Sequence, residues 1–113
     1  MHALIIEDES LIAFAIEDIL RECGFDSIDL AASPASAIAA AEKHCPDLIT
    51  SDVELRPGCG ISTVIGICDR SSIPVIFITG NVDQVTRRLP SHPALNKPFS
   101  ESSLRAAVAN AMA

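Results

Sequence analysis

Five short apolar runs recur along the chain, each followed by a longer stretch whose apolar positions keep helical spacing. Ala3–Ile6 is apolar throughout and stops at the acidic run Glu7, Asp8 and Glu9. Ser10 then stands as a candidate N-cap. Ile12, Ala15, Ile16, Ile19, Leu20 and Cys23 follow on one helical stripe, which Gly24 closes. Ser27–Ala31 reads as a weak strand, and Ser33-Pro34 opens an alanine-rich helix running to His44, with Pro34 at its first position. Pro46 breaks the chain before a third strand, Asp47–Asp52. A third helix is expected from near Gly60 to Asp69, and Ile73–Thr79, β-branched and apolar, is the best strand in the sequence. Asn81–Leu89 is a short, poor helix between Gly80 and Pro90, and Ala94–Lys97 is a brief last strand. Ser100 caps a final helix with Leu104, Val108, Ala111 and Met112 on one stripe. Apolar strands alternating with helices predict a parallel sheet covered on both faces: an α/β fold, a three-layer α/β/α sandwich on a five-stranded parallel sheet.

The length of 113 residues suits one domain, and the chain shows no linker or repeat, so residues 1–113 are read as a single domain. Hydrophobic residues at 49% exclude a disordered chain. The formal charge of −7 opposes nucleic-acid binding, which depends on Lys and Arg neutralising phosphates. Cys23, Cys45, Cys59 and Cys68 form no CxxC pair, so buried reduced thiols are expected rather than a structural metal or disulfides. Acidic residues follow the first apolar run too soon for a signal peptide, and the longest apolar stretch is far short of a membrane span. A soluble, cytoplasmic protein with no membrane or nucleic-acid partner is the expectation.

In an open parallel sheet, ligands bind beyond the carboxyl ends of the strands. Those ends carry Glu7, Asp8 and Glu9 after the first strand and Asp52 after the third. Thr79-Gly80 follows the fourth and Lys97-Pro98 the fifth. Several carboxylates, one hydroxyl and one ammonium therefore converge on one edge. Carboxylates packed together repel unless a cation joins them, and all-oxygen ligation selects Mg²⁺. A divalent metal beside a single Lys suggests phosphoryl chemistry, because both neutralise phosphoryl oxygens.

The motifs IIEDE, ITSDVEL, PVIFITG and NKPF, in this order, resemble the receiver domain of two-component response regulators across essentially the whole chain. The resemblance implies a flavodoxin-like, doubly wound (βα)5 fold. It also implies that Asp52 is the phosphoacceptor, charged by a histidine kinase or histidine phosphotransfer protein. Glu7 and Asp8 then match the acidic pair that binds Mg²⁺, with Asp52 and the main-chain carbonyl of Glu54 completing the site. Thr79 matches the switch hydroxyl and Lys97 the lysine that pairs with the phosphoryl group. Pro98 can follow a cis peptide, which would turn Lys97 back into the site. The chain would be a signalling phosphoacceptor rather than an enzyme, with small-molecule phosphodonors possible and output through a downstream protein target.

Three positions depart from common receivers. The position three residues before Lys97, usually aromatic, is Ala94; the segment from Gly80 to Pro93 is short; and Pro57 comes one place late after Asp52. With the Phe-x-Thr-Gly motif at Phe77–Gly80, these features resemble stand-alone receivers that lack the aromatic switch. On that basis no output domain is expected, and Asn81–Leu89 is expected to become ordered on phosphorylation. A Mg²⁺-dependent phosphohydrolase is the rival reading; it normally has an Asp two residues after the nucleophile, where this chain has Glu54. Phe14 falls opposite the apolar stripe of its helix, which suggests either a docking anchor for the phosphodonor or packing against the last helix.

Overall fold

The computed structural model describes residues 1–55, 58–68 and 72–113, with Cys68 by its backbone alone. Its strands are β1 (His2–Ile6), β2 (Ser27–Ala31), β3 (Leu48–Ser51), β4 (Val75–Thr79) and β5 (Ala94–Asn96). Its helices are α1 (Ser10–Glu22), α2 (Pro34–Lys43), α3 (Gly60–Cys68), α4 (Val82–Arg88) and α5 (Glu101–Ala111). The sheet order is β2-β1-β3-β4-β5 and every pairing is parallel. The expected three-layer α/β/α sandwich is present.

The three central strands are buried at every residue, whereas β2 and β5 are partly exposed edges. Alternation along β1 divides the core. Ala3 and Ile5 face α1 and α5 with Ile16, Leu20, Leu104 and Val108, while Leu4 and Ile6 face Ala37, Ile61, Val64 and Val85 on the other side. Because the strand order reverses between β1 and β3, the crevice at their carboxyl ends lies over the centre of the sheet.

The helix ends follow local chemistry. Ser33 accepts from the Ser36 amide and Ser36 reaches back to the Ser33 amide, a reciprocal cap with Pro34 at the first helical position. Ser100 accepts from the Ser103 amide. Past the end of α1, Gly24 at φ +102° lets Phe25 donate to Leu20 and Gly24 to Arg21, while Phe25 and Leu20 both enter the core. The start of α1 differs from expectation. Glu9, not Ser10, is the N-cap, and no side chain caps the helix there.

Several expected boundaries contract. The fourth strand begins at Val75 rather than Ile73; Pro74 lacks an N–H and enters the ladder only through its carbonyl, which accepts from Ile49. The expected end of the third helix at Asp69, and Pro57 in the loop after Asp52, lie outside the described residues. Asn81–Leu89 contains a helix, Val82–Arg88, whose Val85 is fully buried. The Lys97-Pro98 peptide is cis.

Cys23, Cys45 and Cys59 are free thiols, but Cys45 is exposed on the turn between the end of α2 and Pro46, against the expectation of burial. Phe14 is 53% exposed and Leu11 84%. Phe14 is therefore not packed into the interface with α5. No helix among the described residues is long and apolar enough to cross a membrane.

Candidate functional site

Each candidate side chain stands just beyond, or at the last residue of, a strand, and the neighbouring strand holds its backbone. Glu7 donates its amide to Ala31 O at 2.9 Å, Asp52 to Ile6 O at 2.9 Å, and Lys97 to Thr79 O at 3.0 Å. The parallel ladders thus deliver Glu7, Asp52, Thr79 and Lys97 to one edge of the sheet.

Carboxylate oxygens of Glu7, Asp8 and Asp52 all lie within 4.8 Å of one another. Glu7 and Asp52 are buried and Asp8 is half-buried. Lys97 Nζ bridges the first two, 2.9 Å from Asp52 Oδ2 and 2.7 Å from Glu7 Oε1. The contact with Asp52 is a hydrogen bond. That with Glu7 Oε1 is an ion pair, while Glu7 Oε2 accepts from the Glu9 amide. Three carboxylates against one ammonium leave the cluster negative.

Burial raises the Glu7 carboxyl above its usual 4.5, against the pull of the Lys97 ammonium and the Glu9 amide. Burial works against the charge on Lys97, yet its contacts with Glu7 and Asp52 outweigh that and hold the ammonium above its usual 10.5. The all-oxygen, net-negative donor set suits a hard divalent cation. Ligands around Mg²⁺ lie at ~2.1 Å, which places them within about 4.2 Å of one another, close to the spacing here.

A cavity of about 420 Å³ opens over the cluster, bounded by Asp8, Glu9, Asp52, Glu54 and Lys97. Glu7 and Thr79 are buried and do not border it. Thr79 Oγ1 accepts from the Asn81 amide at 3.0 Å, so the hydroxyl anchors the start of α4. The side chain of Glu54 is exposed and its amide points to Asp52 Oδ1 at 3.4 Å, a long contact.

Two supporting residues escape the reading of the sequence. Gly60 approaches the strand end so closely that a Cβ there would fall 1.6 Å from Asp52 O, and Ser51 Oγ donates to the same carbonyl at 2.8 Å. The one signal available for Gly60 was a glycine at the mouth of a helix directly after the loop. Glu9, which the resemblance leaves outside the acidic pair, lines the cavity.

The sequence matches the response regulator receiver domain over residues 3–109. The chain belongs to the response regulator receiver family. Among its relatives, the transcriptional regulatory protein PdtaR of Mycobacterium tuberculosis is 32% identical over 109 residues, covering 93% of this chain and 53% of PdtaR. The phyllosphere-induced regulator PhyR of Methylorubrum extorquens is 33% identical over 113 residues, covering 96% of this chain and 42% of PhyR. The chain spans about half the length of the curated relatives it matches. The receiver domain of PhyR from Erythrobacter litoralis superposes with a TM-score of 0.90 at 35% identity, covering 98% of this chain and 88% of that one. The receiver fold and membership of two-component signalling are therefore established.

Proposed function

We propose that this receiver accepts a phosphoryl group on Asp52, drawn from a histidine kinase or histidine phosphotransfer protein with Mg²⁺, and signals by contact with a downstream protein. The observation that carries the reading is the joint placement of Asp52, Glu7, Asp8 and Lys97 at one sheet edge. Glu7, Asp8 and Asp52, with the main-chain carbonyl of Glu54, would hold the metal. When bound, Mg²⁺ would offset the negative charge of the carboxylates and of the incoming phosphoryl oxygens.

An oxygen of Asp52 attacks phosphorus, the P–N bond to the donor histidine breaks, and the imidazole nitrogen leaves with the electron pair. Lys97, already on Asp52 Oδ2, meets charge on a phosphoryl oxygen as a compact ammonium. Thr79 Oγ1 uses a lone pair for the Asn81 amide and keeps its proton to donate to a phosphoryl oxygen. The rival phosphohydrolase reading finds no second Asp beside the nucleophile, since Glu54 holds that position with its side chain exposed.

The docking side is α1. An apolar trough of about 650 Å³ runs beside the cavity between Leu11, Ile12, Ala15 and Ile19 and the segment Pro98-Phe99, and it shares Glu9 and Lys97 with the cavity. With Phe14 exposed on the same helix, α1 offers anchors to a donor protein. One solved relative, from Bartonella quintana, is an anti-anti-sigma factor. A protein target, rather than nucleic acid, suits the acidic chain.

Incubation with Mg²⁺ and acetyl phosphate, read by intact mass, tests the chemistry. A gain of one phosphoryl group that Asp52→Asn abolishes is expected; no gain would sink the reading. Phe14→Ala should slow transfer from the cognate kinase and leave acetyl phosphate labelling intact, and unchanged kinase transfer would remove Phe14 from the docking face.

A further inference from the structure

We propose that Glu9 and Glu54 act as a charge filter at the mouth of the Asp52 cavity, slowing transfer from free anionic phosphodonors and reserving Asp52 for a donor presented by a protein. The inference rests on the phosphoacceptor reading and adds the class of donor the site selects.

Among the described residues five bound the cavity, and four of them are acidic. The fifth, Lys97, turns its ammonium inward onto Glu7 and Asp52. Glu9 and Glu54 have exposed side chains, and neither carboxylate pairs with a cation or hydrogen-bond donor among the described residues. In both residues the backbone, not the carboxylate, serves the cluster, through the amides of Glu9 to Glu7 and of Glu54 to Asp52. Their charges stand at the entrance with no counter-charge among the described residues.

In transfer from acetyl phosphate, an Asp52 oxygen attacks phosphorus, the P–O bond to the acetyl group breaks, and acetate leaves with the electron pair. The donor is a dianion and must pass both carboxylates before it reaches any cation. A concave, partly desolvated mouth focuses that repulsion, and like charge at such a distance slows encounter by roughly 3–10-fold per residue. A donor protein can set Lys or Arg against the same two carboxylates, turning repulsion into attraction. One pair of residues then disfavours one donor class and favours the other.

A carboxylate at the N-terminus of α1 also favours the helix dipole, so replacing Glu9 can change stability as well. Glu54 lies on no helix, and Glu54→Gln isolates the field.

The test uses Glu54→Gln, Glu9→Gln and the double variant, at Mg²⁺ concentrations shown by titration to saturate each. Labelling by acetyl phosphate, and by phosphoramidate as the less anionic donor, is followed by intact mass at low and high KCl. Acetyl phosphate labelling should rise about 3–10-fold in Glu54→Gln and further in the double variant, with a smaller gain for phosphoramidate. The wild-type rate should climb with KCl as the screening length falls from ~30 Å at 0.01 M to ~10 Å at 0.1 M, and the double variant should lose that dependence. Inorganic phosphate binding, followed by amide chemical shifts without any transfer, should tighten in the double variant. An unchanged acetyl phosphate rate and salt dependence in Glu54→Gln would overturn the filter. A wild type that takes no label from either donor would instead overturn the phosphoacceptor reading. The phosphate-binding arm would still decide the filter, with unchanged affinity in the double variant counting against it.

Discussion

Adding one methyl group at Gly60 should damage both the fold and the site. The new Cβ would lie 1.6 Å from Asp52 O, 2.8 Å from Asp52 C and 2.7 Å from Ser51 Oγ. Real Cβ contacts do not fall below 3.0 Å, so backbone must move by more than an ångström. The obstacle is main chain, not a flexible side chain. Gly60 is tied to Val53 by its own amide at 2.7 Å, while Ile61 and Val64, next on α3, are buried in the core, so the helix cannot slide away freely. Overpacking of this kind costs typically 1–3 kcal/mol, and a backbone clash belongs at the upper end. The gain in helix propensity, about 1 kcal/mol at most, offsets only part of it. Gly60→Ala should therefore lower Tm by roughly 10 °C. A displacement near 1 Å at Asp52 should cut acetyl phosphate labelling about 10²-fold. Gly66, in the same helix with nothing within 4 Å of a Cβ, is the control. Gly66→Ala should stabilise by about 0.5–1 kcal/mol and leave labelling alone. Thermal melts and intact-mass labelling of both variants decide the matter. If Gly60→Ala melts with the wild type and labels normally, the close approach at Asp52 is not what holds the site.

Other expectations follow from single groups. Glu7 has a raised carboxyl pKa, so the stability it contributes is complete below 4.5 and lost as pH rises through its folded value. In metal-free buffer, the melting temperature of Glu7→Gln relative to wild type should climb between pH 4 and pH 7, and a flat difference would refute the cost of burying that charge. Lys97, raised above 10.5, should hold its contribution throughout that range and lose it only in stronger base. Thr50 is 1% exposed and its hydroxyl has no partner among the described residues, so Thr50→Val should stabilise by about 1 kcal/mol in urea unfolding; a loss would mean that the hydroxyl is bonded. Ser33→Ala removes the reciprocal cap of α2 and should cost about 1 kcal/mol in the same assay.

Most of the architecture was legible because it follows from one-dimensional patterns. A strand buried on both faces shows as an apolar run, as Val75–Ile78 does before Thr79, and the caps at Ser33 and Ser100 need only residues a few positions apart. Asp52 and Lys97 were readable for a related reason: a polar residue ending an apolar run is conspicuous in sequence. What stayed hidden depends on contacts between distant segments. Nothing local distinguishes Gly60 from an ordinary glycine near a helix, because its constraint is the carbonyl of Asp52. The start of α1 was misplaced because Glu9 opens the helix, its carbonyl accepting from the Ala13 amide while Glu7, across the turn, holds the Glu9 amide. The helix at Val82–Arg88 looked too poor to persist, since its support is the burial of Val85 and an anchor from Thr79, neither written in its own residues.

The amides of Glu7, Asp52 and Lys97 each hang on the carbonyl of the adjoining strand, at Ala31, Ile6 and Thr79. Every L-residue except proline offers those same main-chain groups. The alignment of the site is thus indifferent to which side chains fill the strands, provided that they are apolar and fit. Such an arrangement lets a lineage rewrite most of its interior while the reacting groups keep their places. The superposition with the Erythrobacter litoralis receiver, a TM-score of 0.90 at 35% identity, is what that freedom would leave behind. The liberty stops where backbone meets backbone. At Gly60 drift has almost nowhere to go, whereas exposed positions such as Phe14 and Glu54 stay open to the selection that tells one partner from another.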